Sequence, residues 1–209
     1  DVLRVTVTGQ GGHASAPCNA VDPVPAAAAM VGALQTMITR TLSVFDPAVL
    51  TVTRISAGTS SNIIPETAEL EGTIRALSEY TRIKLHAEVR RVCEHVAAAH
   101  GCAATVAIEH GYPVTINDDE VTPQVIDLAR SVLGKDHAEP MPDPLMGAED
   151  FSYVLARVPG AMAFLGACPP GHEPDAAPAN HSNRVLFDEA AMVHGVALYA
   201  GFALETLTS

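Results

Sequence analysis

Over the first 115 positions the apolar residues switch between a period of two and a period of 3.6 in one fixed order, and few folds accept that order. Leu3, Val5 and Val7 alternate with Arg4, Thr6 and Thr8, as in a half-buried strand. After the Gly-rich turn Gly9-Gln10-Gly11-Gly12, Asp22-Pro23 offers an N-cap with proline at the first helical position. Ala27, Met30, Val31, Leu34 and Ile38 then recur at helical spacing. A second strand runs through Leu50 and Val52 to Ile55, and a third sets Ala68, Leu70, Gly72 and Ile74 against Glu69, Glu71, Thr73 and Arg75. Ser78 is placed to cap a second helix, whose Leu85, Val89, Val92 and Val96 form one stripe ending near Gly101, and a fourth strand carries Ala104, Val106 and Ile108. The order β-α-β-β-α-β is the split-βαβ, or ferredoxin-like, pattern: two helices cover one face of a four-stranded antiparallel sheet and the other face stays open. It predicts one core shared by Val5, Leu34, Leu70, Ile74, Val89, Val92 and Val106.

The character changes after Asn117-Asp118-Asp119, which divides the chain into residues 1–115 and 116–209. A helix through Val121, Val125, Leu128 and Val132 ends at Gly134, and the prolines 140, 142 and 144 lead into Gly147-Ala148-Glu149-Asp150-Phe151 and a short helix. Ala161 to Leu165 has the composition of a short buried strand. A Pro-rich loop from Cys168 to Asn180 precedes His181, and Asp188 is placed to cap a final helix through Met192, Val196, Tyr199 and Ala203. This segment has helices and hardly any strands, so it is expected to belong to an α/β core whose other strands lie upstream of Asp1. A chain that opens inside a strand reads in the same way, as part of something longer.

Composition narrows the chemistry. With 48% hydrophobic and 17% charged residues the chain is globular rather than disordered, and a net charge of −12 argues against nucleic acid or an anionic membrane as partner. No apolar run approaches the ~18 to 20 residues of a membrane span, and no basic-then-apolar segment opens the chain. The four cysteines contain no C-x-x-C pair, so reduced thiols in a cytoplasm are the expectation.

Several residues are placed to do chemistry, and each has a plainer reading. His13 sits on a Gly-rich loop free to carry an imidazole to a ligand, or simply to solvate it. Asn62, in Ser61-Asn62-Ile63-Ile64-Pro65, can hydrogen-bond a substrate carbonyl or make an Asx-type turn. Arg75 can grip a carboxylate with two donors, or pair with Glu69 or Glu71 on the surface. Glu149 and Asp150 are adjacent acids at a helix start, where the dipole favours negative charge whatever the function. His181 suits a metal, but one imidazole is not a metal site. Nor does the spacing of His172, Glu173, Asp175 and His181 fix a tetrahedral geometry.

In series these motifs say more than they do singly. G-Q-G-G-H-A-S-A-P followed by Asp22-Pro23, then S-N-I-I-P-E, G-T-I-R, G-A-E-D-F-S and N-H-S-N-R-V-L-F-D-E, in this order, resemble the M20 peptidase family. The similarity is greatest to its amidohydrolase branch of hippurate hydrolases, N-acyl-amino-acid deacylases and auxin-conjugate hydrolases, and it covers nearly the whole chain. The resemblance implies an α+β architecture: a ferredoxin-like lid or dimerisation domain at residues 1–115, then the C-terminal part of an α/β zinc-peptidase-like catalytic domain at 116–209. It implies metal-dependent hydrolysis of N-acyl amino acids or related small amides, using a pair of divalent ions (zinc, manganese, cobalt or nickel). His181 then corresponds to the family's C-terminal metal-binding histidine. His13 corresponds to a lid histidine that reaches the partner subunit's site and stabilises the oxyanion. Asn62 and Arg75 correspond to lid residues that contact substrate, with Arg75 on its carboxylate, while Glu149 and Asp150 match a family motif without an assigned role and are candidates for supporting residues. The family's other ligands and its glutamate base have no match in this chain, so alone it is expected to be inactive, with a homodimer formed through the lid. The competing expectation is a non-catalytic ferredoxin-like module that dimerises or binds a small ligand.

Overall fold

The computed structural model describes residues 1–208, and these divide into two compact units. The first comprises Asp1–Val114 with Pro144–Asp150; the second comprises Thr115–Asp143 with the residues from Phe151 onward.

In the first unit β1 (Val2–Thr8), β3 (Ala48–Ala57), β5 (Thr67–Ala76) and β6 (Ala103–Glu109) form an antiparallel sheet in the order β3-β5-β1-β6. The intervening short strands β2 (Gly12–His13) and β4 (Ile63–Ile64) form a separate ladder. Helices α1 (Pro23–Thr41) and α2 (Glu79–Ala99) follow β1 and β5, which completes the ferredoxin-like topology. Both helices begin where the sequence supplies an acceptor. The Asp22 carboxylate accepts from the Val24 N–H at 2.9 Å, and the Ser78 hydroxyl accepts from the Thr81 N–H at 3.1 Å.

The alternation in β1 becomes burial: Leu3, Val5 and Val7 are sealed, with Val5 opposite both Leu70 and Val106. Of the expected core, Val5, Leu34, Leu70, Ile74 and Val89 are fully buried, each contributing roughly 1.5–3 kcal/mol. Val92 and Val106 are only half-buried against it. The buried line of α2 runs in four-residue steps through Leu85, Val89, Cys93 and Ala97, so small residues take the places that valines 92 and 96 were expected to fill.

The second strand also departs from simple alternation, and the cause is local. Val52 opposes Gly72 but Arg54 opposes Glu71, so an extra residue bulges at Thr53 and exchanges the faces beyond it. Ile55 therefore lies opposite Leu70, although it remains 51% exposed. A Cβ on Gly72 would stand 2.4 Å from the Thr51 carbonyl oxygen, so no other residue lets β3 and β5 approach this closely. Arg54, turned to the open face, pairs with Glu71 at 2.9 Å and Glu69 at 3.3 Å, while Arg4 reaches Glu109 at 2.7 Å and Glu71 at 3.7 Å.

Asp1 extends the ladder by accepting from Ile74 N–H at 3.0 Å, and it buries its carboxylate under α2. That carboxylate accepts from both Arg82 Nη2 and Nε, the latter at 2.8 Å, from the Gly111 N–H at 2.8 Å, and meets His86 Nε2 at 2.7 Å. Burial, then the neighbouring His110, Arg82 and Arg90, push the His86 pKa down to about 4. Asp1 would favour the imidazolium, but Arg82 already compensates its charge, so burial wins and His86 stands neutral as a donor to Asp1. The unfolded chain, with His86 near its ordinary 6.5, takes up this proton first. Stability is therefore complete above pH 6.5 and falls as the pH drops towards 4, by up to about 1.4 kcal/mol per pH unit. Urea midpoints at pH 7 and pH 5 followed by circular dichroism check this, and His86→Gln should flatten the dependence. An unchanged slope in that variant would assign the loss to other groups.

The second unit is helical among its described residues. Asp118 caps α3 (Val121–Leu133) through Oδ1, which accepts from the N–H groups of Glu120 and Val121 at 2.9 Å. After the one-turn α4 (Ser152–Leu155), α5 (Ala191–Thr208) starts where Asp188 accepts from Ala190 N–H at 3.0 Å. The expected strand at Ala161 to Leu165 does not form, and Phe164 is 60% exposed. A strand needs a neighbour for its main-chain groups, and among the described residues it is the Asn117 side chain, not a strand, that pairs with Met162, donating at 3.0 Å and accepting at 2.8 Å. Met192, Val196 and Tyr199 of α5 are exposed. No helix among the described residues is long and apolar enough to cross a membrane.

Candidate functional site

Residues distant in sequence meet at one end of the sheet. His13 pairs with Ile63 and Gly12 with Ile64 across the β2–β4 ladder, the Ala14 N–H donates to the Asn62 carbonyl at 3.1 Å, and Gly9 N–H to the Glu66 carbonyl at 2.9 Å. The loop carrying His13 can lie this close because a Cβ on Gly9 would stand 2.1 Å from the Val21 carbonyl oxygen. His13 and Asn62 thus become neighbours, both exposed. Asn62 lies in the turn that leads into β4 and is tied in through its main-chain carbonyl.

The His13 ring is held on one side. The Ser15 hydroxyl lies 2.7 Å from His13 Nδ1 and the Ser15 main-chain N–H donates to the same atom at 3.1 Å. Ala16 N–H closes this turn on the His13 carbonyl at 2.9 Å.

Arg75 lies at the opposite end of β5. At roughly 3.3 Å per residue the run from Thr67 to Arg75 spans about 26 Å, so Arg75 and His13 of one chain cannot touch one small molecule. Its expected surface partners are otherwise engaged, since Glu69 and Glu71 pair with Arg54 and Arg4. Arg75 Nη1 instead donates to the Met146 carbonyl at 2.7 Å. That contact places the Pro144–Asp150 segment, with the exposed acids Glu149 and Asp150, in the same unit as Arg75.

His181 belongs to the other unit, on an exposed turn in which Ser182 N–H donates to the Ala179 carbonyl at 2.8 Å. Among the described residues no three His, Cys, Asp or Glu side chains converge as metal ligands, so His172, Glu173, Asp175 and His181 do not assemble. A structural zinc takes four ligands and a catalytic one takes three with water, which these donors alone do not provide. All four cysteines carry free thiols, and burial pushes Cys93 up to about 12.

Two features escaped the sequence. The Asp1–Arg82–His86 cluster had one signal, the four-residue spacing of Arg82 and His86 on a helix. The contact of Ser15 with His13 had only the adjacency in His13-Ala14-Ser15.

Comparison with known proteins gives the chain relatives. Residues 2–101 match the profile of the M20 peptidase dimerisation domain, described as "Peptidase dimerisation domain". The chain is 34% identical to thermostable carboxypeptidase 2 of Saccharolobus solfataricus, over 98% of the chain and 51% of that protein. It is 32% identical to an IAA-amino acid hydrolase of Arabidopsis thaliana, over 99% of the chain and 46% of that protein. A Bacillus subtilis crystal structure, described as a dinuclear metal binding peptidase from the M20 family, superposes with a TM-score of 0.74 at 24% identity, over 99% of the chain and 49% of that structure. The chain spans about half the length of the curated relatives it matches. Residues 2–101 are thus an M20 peptidase dimerisation domain, in a chain that aligns along nearly all its length with part of each of these relatives.

Proposed function

We propose that this chain forms part of a longer, homodimeric amidohydrolase that hydrolyses the amide bond of N-acyl amino acids or related small amides with the help of divalent metal ions. The observation that carries this reading is the split of the substrate-contacting candidates between the two ends of one sheet. A small substrate gripped by both sets needs Arg75 from one copy and His13 with Asn62 from another, and the dimerisation-domain match supports such a pairing. In this reading residues 1–115 are the lid and 116–209 part of the catalytic domain.

The roles follow from donor chemistry. With Met146 occupying one Nη1 donor, the Nε–Nη2 edge of Arg75 remains as a fork for a carboxylate. The relatives named carboxypeptidase and IAA-amino acid hydrolase bear names that point to substrates ending in an amino acid's own carboxylate, which supports this assignment. Asn62 offers its amide to the substrate carbonyl, and His13 donates to the oxygen that becomes negative as the carbonyl is attacked. His181 contributes one metal ligand, and the rest of the ligand set comes from outside this chain; zinc, manganese, cobalt and nickel all suit an imidazole. Glu149 and Asp150 support the Arg75 end. Four free thiols fit a cytoplasmic enzyme, and the charge of −12 disfavours nucleic acid and membrane partners.

The deciding experiment is metal analysis of the full-length gene product together with a hydrolysis panel of N-acyl amino acids, with and without chelator. Metal-free protein inactive on the whole panel would favour a non-catalytic ligand-binding module. Light scattering at micromolar concentration should give a dimer; monomer alone would remove the shared site. Arg75→Lys should lower kcat/KM by roughly tenfold or more, because a lysine is a point charge without the fixed fork. Unchanged steady-state kinetics across several acyl-amino acids would remove Arg75 from the site.

A further inference from the structure

The geometry points to Ser15 as a positioning residue that holds His13 in the one tautomer able to donate from Nε2. This inference rests on the reading of His13 as an oxyanion donor and adds a residue to it. A main-chain N–H can only donate, so the Ser15 N–H at 3.1 Å requires a bare lone pair on His13 Nδ1, and in a neutral imidazole the proton then resides on Nε2. The Ser15 hydroxyl, at 2.7 Å from the same atom, makes the second and shorter bond. The Ala16 N–H to His13 carbonyl bond at 2.9 Å closes the turn, so both donors stand over one edge of the ring. Nε2 lies across the ring from Nδ1, and its proton is directed away from the turn.

The consequence is preorganisation. The hydroxyl fixes the ring rotation that the longer main-chain bond alone holds less tightly, and a donor that must aim at a developing charge gains from being fixed beforehand. Alanine at position 15 keeps the N–H and removes the hydroxyl, whereas threonine keeps both.

The test has a spectroscopic arm and a kinetic arm. With histidine ¹⁵N-labelled in the whole chain, and the His13 signals assigned through their loss in His13→Gln, the ring should show a protonated Nε2 and an unprotonated, hydrogen-bonded Nδ1. In Ser15→Ala the Nδ1 resonance should move towards that of an unbonded ring nitrogen, and Ser15→Thr should restore it. In the full-length enzyme, Ser15→Ala should lower kcat roughly three- to tenfold with KM little changed, again restored by threonine. A ring protonated on Nδ1, or a Ser15→Ala variant with wild-type Nδ1 resonance or wild-type kcat, overturns the role of Ser15. A His13→Ala enzyme of full activity would instead sink the oxyanion reading and leave the ring resonances to report on Ser15 separately.

Discussion

Replacing Arg82 by leucine should cost the first unit roughly 3–5 kcal/mol, the largest loss expected from any single side chain outside the hydrophobic core. The Asp1 side chain is only 2% exposed and Arg82 supplies its compensating charge through two donors. Without the guanidinium the carboxylate keeps the Gly111 N–H and the neutral His86, neither of which carries charge. Arg82 also binds the Gly111 carbonyl at 3.2 Å and Glu79 at 3.2 Å, so the segment after β6 and the first turn of α2 loosen together. Adding Asp1→Asn to Arg82→Leu should recover a large part of the loss, because the orphaned charge is then gone. The chain contains no tryptophan, so urea unfolding is followed by circular dichroism. A single variant that loses less than about 1 kcal/mol would mean that water reaches Asp1 and the cluster is not sealed.

His13→Ala in the full-length enzyme should lower kcat by about 10²-fold while leaving metal content intact, the cost of losing one oxyanion donor. His181→Ala should lower both metal occupancy and rate. The two variants should rescue each other when their subunits exchange. In a mixed dimer, one site has an intact His181 in its own subunit and an intact His13 from the partner, so activity returns at that site alone. If exchange is demonstrated and activity stays absent, His13 does not serve the partner's site, and it reverts to a solvated loop residue of its own chain. Arg75 and His13, at opposite ends of β5, would then not share a substrate.

The first unit was legible because burial there follows period alone. Leu3, Val5 and Val7 on one strand and Leu70 and Ile74 on another face the same helices, and nothing local competes with that pattern. Where period failed, a specific contact had intervened. The bulge at Thr53 let Ile55 share a face with Val52, which a strict alternation forbids, and it moved Arg54 to the side of Glu69 and Glu71. Ala161 to Leu165 has strand composition, but composition cannot supply a hydrogen-bonding neighbour. His13 and Asn62 were named from the sequence as single residues, yet their meeting across β2 and β4 is a tertiary event. Arg75 was named with two alternatives, and the contact it makes is neither of them: its guanidinium donates to the Met146 carbonyl, while Glu69 and Glu71 pair with Arg54 and Arg4. Beyond the spacing of Arg82 and His86 the Asp1 cluster left no signal, because a charged residue before a strand ordinarily points to solvent.

The alternating charges on the open sheet face also keep the strands in step. Arg54, Glu71, Arg4 and Glu109 connect β3, β5, β1 and β6 in turn. Sliding β1 by one residue would carry Arg4 beneath the helices and lift Leu3 and Val5 into water, and the same slip in β5 would bury Glu71. Each misaligned pairing would thus strand a charge in the apolar layer while losing its partner outside. A surface of exposed ion pairs that adds little to the depth of the native minimum therefore raises the energy of its nearest competitors, and the chain closes on one alignment of its four strands.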